Sequence, residues 1–534
     1  MQPQQTLPRL LYQHAHERPD EVALVSIGQG ERTWSEIWDM SRRWAGWLEQ
    51  RGVKCGDRVA ALMPQSLEAA YLWMGCCLIG AVDVSINTQF RGEWLRHALA
   101  TSHAKILVIP RRYLEQVLEV VDGTGIETIC LHDTTEPVSS GDVKARVITS
   151  SPAEAEPGGS VGEPEVGPND LACILYTSGT TGASKAVQIP WALIHHTSET
   201  YLRFLKRREG HVFYFPYSAY HLAGRIAFHL AAISPGRAVI REQFSTSSFW
   251  DDVRTHRCTW TLLFGAPARF LASQPPAPND RDHSLELVLI NPLLPETDVL
   301  RSRYGFQTFT TYGMTETGIT LNAPPEHAVS KNTGCCGRPV PGFEAMLVDE
   351  NDMPVPPGAQ GELVVRSSDP WTITPGYQGA PEATAKAWRN GWWHTGDVFR
   401  QDEEGWYHFV DRTKDMIRRR GENISSVELE NAVLSHPAVA EVAAIGVPSD
   451  LSDEEVLVAV VPKAKATIDP AELVAFLQDR VPRFAVPRFV RVADSLPRTP
   501  ETARVQRHQL RAEGVTPQTW DRTVATPLRT ATAR

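Results

Sequence analysis

The chain has 534 residues, more than one hydrophobic core usually supports, so we expect at least two domains. Hydrophobic residues make up 42% and charged residues 22%, as is ordinary for a globular enzyme. The net charge of −10 argues against a nucleic-acid-binding protein, which normally carries a basic face.

Targeting and redox signals point to the cytoplasm. The segment from Met1 to Glu21 has neither the basic nor the apolar part of a secretory signal, and the longest apolar stretch, Ala69 to Val82, is too short to span a bilayer. The eight cysteines show neither a disulfide framework nor CxxC spacing, so we expect reduced thiols and no zinc site. We predict a cytoplasmic chain without a membrane span.

The first hundred residues alternate between short apolar runs and helical periods. This alternation predicts crossover units, and hence a largely parallel sheet flanked by helices in an α/β fold. The predicted strands are Val22–Ile27, Arg58–Leu62, Ala81–Ile86 and Ile106–Ile109, and the predicted helices are Trp34–Arg51 and Leu67–Gly80. Residues Ser150 to Pro168, rich in Pro, Gly, Ser and Glu, predict a mobile connector.

The segment LACILYTSGTTGASKAVQI, from Leu171 to Ile189, predicts a phosphate-binding loop between two strands. Glycines let backbone N–H groups converge on an anion, hydroxyls add donors, and Lys185 adds a positive charge. The loop residues are Thr177, Ser178, Gly179, Thr180, Thr181 and Gly182. A P-loop fits poorly, because its glycine spacing and the hydroxyl residue after its lysine are missing.

Four motifs in order resemble the adenylate-forming superfamily of acyl-CoA synthetases, adenylation domains and luciferases. They are YTSGTTGASKA, TTYGMTETG at Thr310–Gly318, GWWHTGD at Gly391–Asp397, and DRTKDMIRRRGENISSVELE at Asp411–Glu430. The Pro-Leu pair after Asn291 resembles the carnitine-CoA-ligase-like branch. The resemblance implies that ATP activates an acid, that pyrophosphate leaves, and that the acyl group passes from AMP to a second nucleophile.

The resemblance also implies roles for individual residues. Lys185, Thr315 and Glu316 are catalytic, with Glu316 holding Mg²⁺ against the ATP phosphates. Adenine and phosphate contacts fall on Asn291, Pro292, Thr311, Tyr312 and Gly313, with Tyr312 stacking on the base. Asp397 accepts the ribose hydroxyls beside Arg412, Lys414 lies at the hinge of the lid, and Gly421 lets pantetheine pass.

The acid pocket is predicted around His221, at the place where the resembled family has Pro-Leu-Phe-His. This chain instead reads Tyr217, Ser218, Ala219, Tyr220, His221, which makes the pocket more polar and aromatic. The polar groups of Tyr217, Tyr220, His221 and Arg225 would be left unpaired against an alkyl tail. We therefore predict a small or aromatic polar acid as the substrate.

After Arg412 the composition changes to a module of about 120 residues, as in the family's mobile lid. We predict an N-terminal domain at residues 1–413 and a small α+β lid at residues 414–534. A capping box at Ser425–Glu428 predicts a helix ending at His436–Pro437, and Asp469–Pro470 opens another. Val439–Val447 and Val456–Val461 predict strands.

The tail departs from the resembled family. LPRTPETARVQRHQLR, Leu496 to Arg511, resembles a motif whose lysine bridges the acid and the α-phosphate, but that lysine is missing and Arg504 falls on its place if one residue is inserted. Three functions therefore stay open: an AMP-forming acid:CoA ligase, an amide-forming or nitrite-activating ligase of secondary metabolism with an amine acceptor, and a non-catalytic nucleotide binder. The sequence leaves a homodimer open.

Overall fold

The computed structural model describes residues 5–138, 143–159, 162–177, 184–206, 210–412, 417–420, 422–424, 426–449, 454–497, 505 and 507–525. By the packing of its residues the chain divides into two compact units. The first comprises Met1–Thr88, Ala98–Thr177 and Lys185–Thr413, and the second Gln89–His97, Ser178–Ser184 and Lys414–Arg534. This division has the boundary of the predicted domains at residue 413 and differs from them in two short segments.

The elements up to residue 272 are mostly strand–helix repeats. In chain order they are α1 (Leu7–Glu17), β1 (Val22–Ser26), β2 (Gly30–Thr33), α2 (Trp34–Glu49), β3 (Arg58–Ala61), α3 (Leu67–Leu78), β4 (Val82–Ser85), α4 (Gly92–Thr101), β5 (Ile106–Ile109), α5 (Leu114–Leu118), β6 (Thr128–Leu131), β7 (Arg146–Thr149), β8 (Leu171–Thr177), β9 (Lys185–Pro190), α6 (Trp191–Leu202), β10 (His211–Phe215), α7 (Leu222–Ile233), β11 (Gly236–Ile240), α8 (Phe249–Thr255), β12 (Trp260–Phe264) and α9 (Gly265–Ala272).

The remaining elements contain more antiparallel strands. They are β13 (Leu287–Asn291), α10 (Thr297–Tyr304), β14 (Gln307–Met314), β15 (Gly318–Ala323), β16 (Cys335–Pro339), β17 (Phe343–Val348), β18 (Gln360–Ser367), α11 (Pro381–Ala387), β19 (Trp388–Arg389), β20 (Trp392–Gln401), β21 (Tyr407–Arg412), β22 (Ile417–Arg419), β23 (Glu422–Ile424), α12 (Ser426–Leu434), β24 (Val439–Pro448), β25 (Glu454–Pro462), α13 (Pro470–Gln478), β26 (Phe489–Val492), α14 (Arg507–Glu513), β27 (Trp520–Asp521) and α15 (Arg522–Ala525).

Two sheets make up the first unit, and the predicted α/β class is confirmed. One runs in the order β17-β18-β20-β21-β16-β15-β14-β13-β12-β10-β11-β1-β2, and the other in the order β7-β6-β5-β3-β4-β8-β9. The neighbours from β14 to β1 pair in parallel, as do those from β7 to β8. One continuous core includes residues of both sheets and of α2, α3, α6 and α7.

The prediction of a mobile connector after Ser150 is wrong for the residues that precede 160. The guanidinium of Arg43 donates to the carbonyl of Ala155 at 2.9 Å, and the Gly158 N–H donates to the Arg42 carbonyl at 2.8 Å, so this segment lies against α2. A Cβ on Gly46 would lie 2.0 Å from the carbonyl oxygen of Glu156. Gly46 on α2 therefore allows the backbone of the segment after Ser150 to approach the helix closely. The polar, Gly-rich composition of that segment did not indicate this contact.

The second unit contains the sheet β24-β25-β26-β27, and the strands predicted at Val439–Val447 and Val456–Val461 are confirmed as parts of β24 and β25. The side chain of Asp469 accepts from the Ala471 N–H at 2.7 Å and caps α13, as its sequence predicts. Ser425 of the predicted capping box lies outside the described residues.

A buried carboxyl on α12 also belongs to the second unit. Glu428 accepts hydrogen bonds from the backbone N–H of Ser184 and from its hydroxyl, the latter at 3.1 Å. Burial raises the pKa of Glu428 to about 7, although both hydrogen bonds from Ser184 oppose the shift.

None of the eight cysteines, each of which lies within the described residues, forms a disulfide. Among the helices that the structure describes, none is long and apolar enough to cross a bilayer.

Candidate active site

The carboxyl ends of neighbouring parallel strands gather the predicted residues at one edge of the larger sheet. The last residue of β13, Asn291, pairs with Phe264 at the end of β12, and Pro292 follows directly. Tyr217 follows β10; its hydroxyl donates to the Leu262 carbonyl at 2.9 Å, and its ring packs edge-on against Phe264 at 5.0 Å. Open α/β sheets bind ligands at this edge. Thr311 and Tyr312 lie on β14, the next strand.

A buried tyrosine–carboxylate pair lies beyond the end of β13. The Tyr312 hydroxyl donates to Oδ2 of Asp397 at 2.7 Å, and Phe399 packs edge-on against the Tyr312 ring at 4.8 Å. Asp397 lies on β20, where its backbone pairs with that of Arg412 on β21. The side chain of Arg412 lies outside the described residues. The structure thus places the predicted base and ribose contacts side by side.

The backbone of β20 just before Asp397 is held by Glu362, a residue on β18 that the sequence analysis missed. Its carboxylate accepts from the Gly396 N–H at 2.9 Å and contacts Nδ1 of His394 at 3.0 Å. Burial acts to raise the pKa of Glu362, but the hydrogen bonds from His394 and Gly396 outweigh it and hold the pKa below its usual range. The signal available in the sequence was a charged residue directly before the apolar run Leu363–Val365.

The turn between β14 and β15 carries the predicted catalytic carboxylate. Thr315 and Glu316 lie in this turn, and Gly313 ahead of them cannot carry a side chain, because a Cβ would lie 2.2 Å from the Gly318 carbonyl oxygen. Glu316 is 5% exposed. Oε1 of Glu316 accepts from the Tyr377 hydroxyl at 2.9 Å.

Lys185 faces the ring of the same tyrosine. It opens β9 opposite Thr177 in the β8–β9 pair, and its ammonium sits 4.5 Å from the centroid of the Tyr377 ring. Burial lowers the pKa of Lys185, whereas the charge of Glu316 acts to raise it. Tyr377 is therefore a shared neighbour of two residues predicted to be catalytic.

Residues 374–378 join β9 to the Glu316 turn. The Gln378 N–H donates to the Ala186 carbonyl at 2.8 Å and the Gln188 N–H to the Gly376 carbonyl at 3.1 Å, while the Thr374 N–H donates to the Glu316 carbonyl at 2.7 Å. We call residues 374–378 the strap. The sequence analysis assigned it no role.

The donor chemistry at Glu316 fits Mg²⁺. A hard carboxylate oxygen suits this ion, which takes its remaining ligands from water and substrate phosphates and needs no all-protein cage. Within the described residues no group of three or more His, Cys, Asp or Glu side chains could hold a metal.

The premise of unpaired polar groups in the acid pocket is wrong for Arg225 and Tyr217. The Arg225 guanidinium, 4% exposed, forms an ion pair with Asp83, 1% exposed, and contacts the Ser85 hydroxyl. Its Nε donates to the Ala219 carbonyl at 2.6 Å. The Tyr217 hydroxyl is likewise hydrogen-bonded. The rings of Tyr220 and His221 lie 4.8 Å apart, just before α7.

Other predicted residues lie outside the described part of the chain. They are Ser178, Gly179, Thr180, Thr181, Gly182, Lys414, Gly421 and Arg504.

Comparison with known families decides the class. Residues 11–378 match the model of the AMP-binding enzyme family, and residues 428–502 match that of the AMP-binding enzyme C-terminal domain. The chain belongs to the AMP-binding enzyme family. The predicted superfamily and the predicted class of enzyme, an AMP-forming ligase, are confirmed.

Curated relatives in this family agree with the predicted branch. The chain is 32% identical to a crotonobetaine/carnitine–CoA ligase of Salmonella paratyphi A over 465 residues, covering 85% of this chain and 88% of that protein. It is 33% identical to the Citrobacter koseri protein of the same name over 455 residues, covering 84% and 87%.

Solved structures of the family include both acceptor types. The amide bond synthetase McbA from Marinactinospora thermotolerans has a TM-score of 0.82 at 26% identity, covering 95% of this chain and 99% of that one. A double mutant of o-succinylbenzoate CoA synthetase (MenE) from Bacillus subtilis, bound with its product analogue, has a TM-score of 0.81 at 25% identity, covering 96% and 99%.

Proposed function

We propose that this AMP-binding enzyme activates a carboxylic acid with ATP and Mg²⁺ and transfers the acyl group to CoA. The observation that carries the proposal is a pair of buried carboxylates: Asp397 accepts from the Tyr312 hydroxyl, and Glu316 accepts from the hydroxyl of Tyr377, whose ring faces Lys185. This arrangement offers an acceptor for ribose and a charged pair for a metal-bound triphosphate.

The two half-reactions conserve atoms. An acid oxygen attacks the α-phosphorus, the bond to the bridging oxygen breaks, and pyrophosphate leaves with its electron pair. The CoA sulfur then attacks the acyl carbon, AMP leaves, and the thiol proton passes to solvent. In this scheme Lys185 offsets charge on the phosphates, Asp397 fixes the ribose, and Glu316 provides the protein ligand for Mg²⁺.

The acid is proposed to be small or aromatic. Tyr217 and Phe264 form an aromatic wall at the carboxyl edge of the sheet, and Tyr220 with His221 adds two further rings. The flat ring of an aromatic acid packs well against such surfaces. The aromatic side chains of the pocket, and not unpaired polar groups, therefore support this acid class.

An amine acceptor is the second candidate. Two observations favour it: the tail lacks the family lysine at Leu496–Arg511, and the amide bond synthetase McbA has a similar fold over 95% of this chain. In that case the acyl-adenylate or an adenylate of another small acid would react with nitrogen instead of sulfur.

Mass spectrometry of the products tests both candidates. The full chain is incubated with ATP, Mg²⁺ and a panel of aromatic, short and long acids, with CoA or an amine as acceptor. We expect AMP, pyrophosphate and an acyl-CoA from an aromatic or short acid. Acid-dependent ADP would contradict the proposal, amide without thioester would select the second candidate, and preferential use of palmitate would contradict the acid class.

A further inference from the structure

The side chain of Tyr377 contacts both Lys185 and Glu316. Its hydroxyl donates to Oε1 of Glu316 at 2.9 Å, while its ring faces the Lys185 ammonium at 4.5 Å. This tyrosine is 8% exposed, and away from water both interactions are stronger than they would be in solvent.

Three backbone contacts hold the strap in place around Tyr377. Tyr377 bridges Val187 on β9, its N–H donates to Oγ1 of Thr384 at 2.9 Å, and the Thr374 N–H donates to the Glu316 carbonyl. Gly376 has a φ of +147°, and a Cβ there would lie 2.5 Å from Cγ2 of Thr384. The ring position is therefore set by backbone pairing and steric fit.

A tyrosine hydroxyl is protonated at neutral pH, because the ordinary pKa of a phenol is about 10. A protonated phenol can donate to a carboxylate, so the direction of this hydrogen bond is fixed. This hydrogen bond restricts rotation of the Glu316 carboxylate group.

We propose that Tyr377 is a positioning residue that orients the Glu316 carboxylate for a Mg²⁺·nucleotide through its hydroxyl and the Lys185 ammonium for the phosphates through its ring. The inference rests on the proposed function, because it takes ATP with Mg²⁺ as the ligand. The hydroxyl and the ring of Tyr377 make separate contributions. A Phe substitution removes the first, and a Leu substitution removes both.

Titration calorimetry of ATP, with Mg²⁺ and again with EDTA, tests the hydroxyl without requiring turnover. In Tyr377→Phe we expect the Mg²⁺-dependent gain in ATP affinity to fall about tenfold, because a hydrogen bond to a charged group is lost. Affinity in EDTA should stay within about twofold of the parent, because the ring remains under Lys185. Tyr377→Leu removes the ring as well and should weaken binding in EDTA by about fivefold.

Tyr407→Phe is the matched control. Tyr407 is also buried, and its hydroxyl donates to the Ala345 carbonyl at 2.9 Å, away from both catalytic candidates. It should lose thermal stability about as Tyr377→Phe does while keeping the parent's Mg²⁺ dependence. A merely structural Tyr377 would behave in the same way.

The outcomes separate the two levels of inference. A Tyr377→Phe variant with the parent's Mg²⁺-dependent gain overturns the role of the hydroxyl, and equal affinities of the Phe and Leu variants in EDTA overturn the role of the ring. A parent chain that binds ATP without any effect of Mg²⁺ overturns the positioning of Glu316. A parent that does not bind ATP at all overturns the proposed function, and this inference with it.

Discussion

At the scale of single residues, Asp397 is a buried carboxylate that we propose binds the ribose of ATP. It is 6% exposed and accepts from the Tyr312 hydroxyl at 2.7 Å, so its carboxylate is held in place before any ligand arrives. A charged acceptor held in this way loses little freedom when it binds two ribose hydroxyls.

Replacing Asp397 by Ala should weaken ATP binding by roughly 2 kcal/mol or more, because a charged hydrogen-bond acceptor is lost. Calorimetric Kd values measure the effect. Tyr312→Phe is the companion variant, since it keeps the carboxylate and removes its hydrogen bond; we expect a smaller loss. An unchanged Kd in a folded Asp397→Ala protein would refute the ribose assignment.

Removing the Glu316 carboxylate should act differently. Glu316→Ala is expected to lower the rate of adenylation more than ATP affinity in EDTA, because the metal contact is lost and the ribose contact remains. Pyrophosphate release measured against Mg²⁺ concentration checks this. Equal effects on EDTA binding and on rate would contradict the separation.

Arg504 carries the prediction for the tail. If it replaces the missing family lysine, Arg504→Ala should slow adenylation by about 10² to 10³, as removal of one preorganised charge typically does. Transfer from a pre-made acyl-adenylate should be nearly unchanged, since the resemblance assigns that lysine to the first half-reaction. Arg504→Lys should keep partial activity. Adenylation by Arg504→Ala at the parent's rate would favour the amine-acceptor candidate with a very small acid.

At the scale of elements, the strands and caps were predictable where a local signal sufficed. Apolar runs predicted β8 and β9, and Asp469 before Pro470 predicted the start of α13. The ion pair of Arg225 with Asp83 joins residues 142 positions apart, and the strap pairs with β9 through backbone atoms. Neither contact leaves a periodic pattern in the sequence. The sequence alone therefore predicted Lys185 and Glu316 as catalytic candidates but did not predict that Tyr377 contacts both.

The contact between α2 and the segment after Ser150 gives a prediction on stability. Gly46→Ala would ordinarily favour a helix by up to about 1 kcal/mol. Here the added Cβ meets the Glu156 carbonyl oxygen and the Gly158 nitrogen, and overpacking typically costs about 1 to 3 kcal/mol. Denaturant unfolding should report net destabilisation. Asp39→Ala, on the exposed side of the same helix, is the control and should change stability little.

At the scale of the whole molecule, Glu428 makes stability depend on pH. Its pKa in the folded chain is raised to about 7 from the usual 4.5, so the folded state holds a proton that the unfolded state has lost. Stability from this carboxyl is full below its unfolded pKa and declines as the pH rises toward 7. Each pKa unit corresponds to about 1.4 kcal/mol.

Glu428→Gln should therefore be more stable than the parent above pH 7 and close to it near pH 5. Thermal melts at pH 5, 6, 7 and 8 measure the difference, with Glu422→Gln on a neighbouring strand as the comparison. A difference that is constant over this range, or that grows toward low pH, would show that Glu428 ionises with an ordinary pKa.

The ion pair between Arg225 and Asp83 also has a consequence for how this enzyme can diverge. Losing one partner leaves an uncompensated buried charge, typically at a cost of about 3 to 5 kcal/mol, whereas replacing both by apolar side chains is often neutral. Single steps at either position should be removed by selection, and paired steps tolerated. Among related sequences, positions 83 and 225 should therefore change together. An alignment deep enough to measure covariation should show these two positions as a covarying pair.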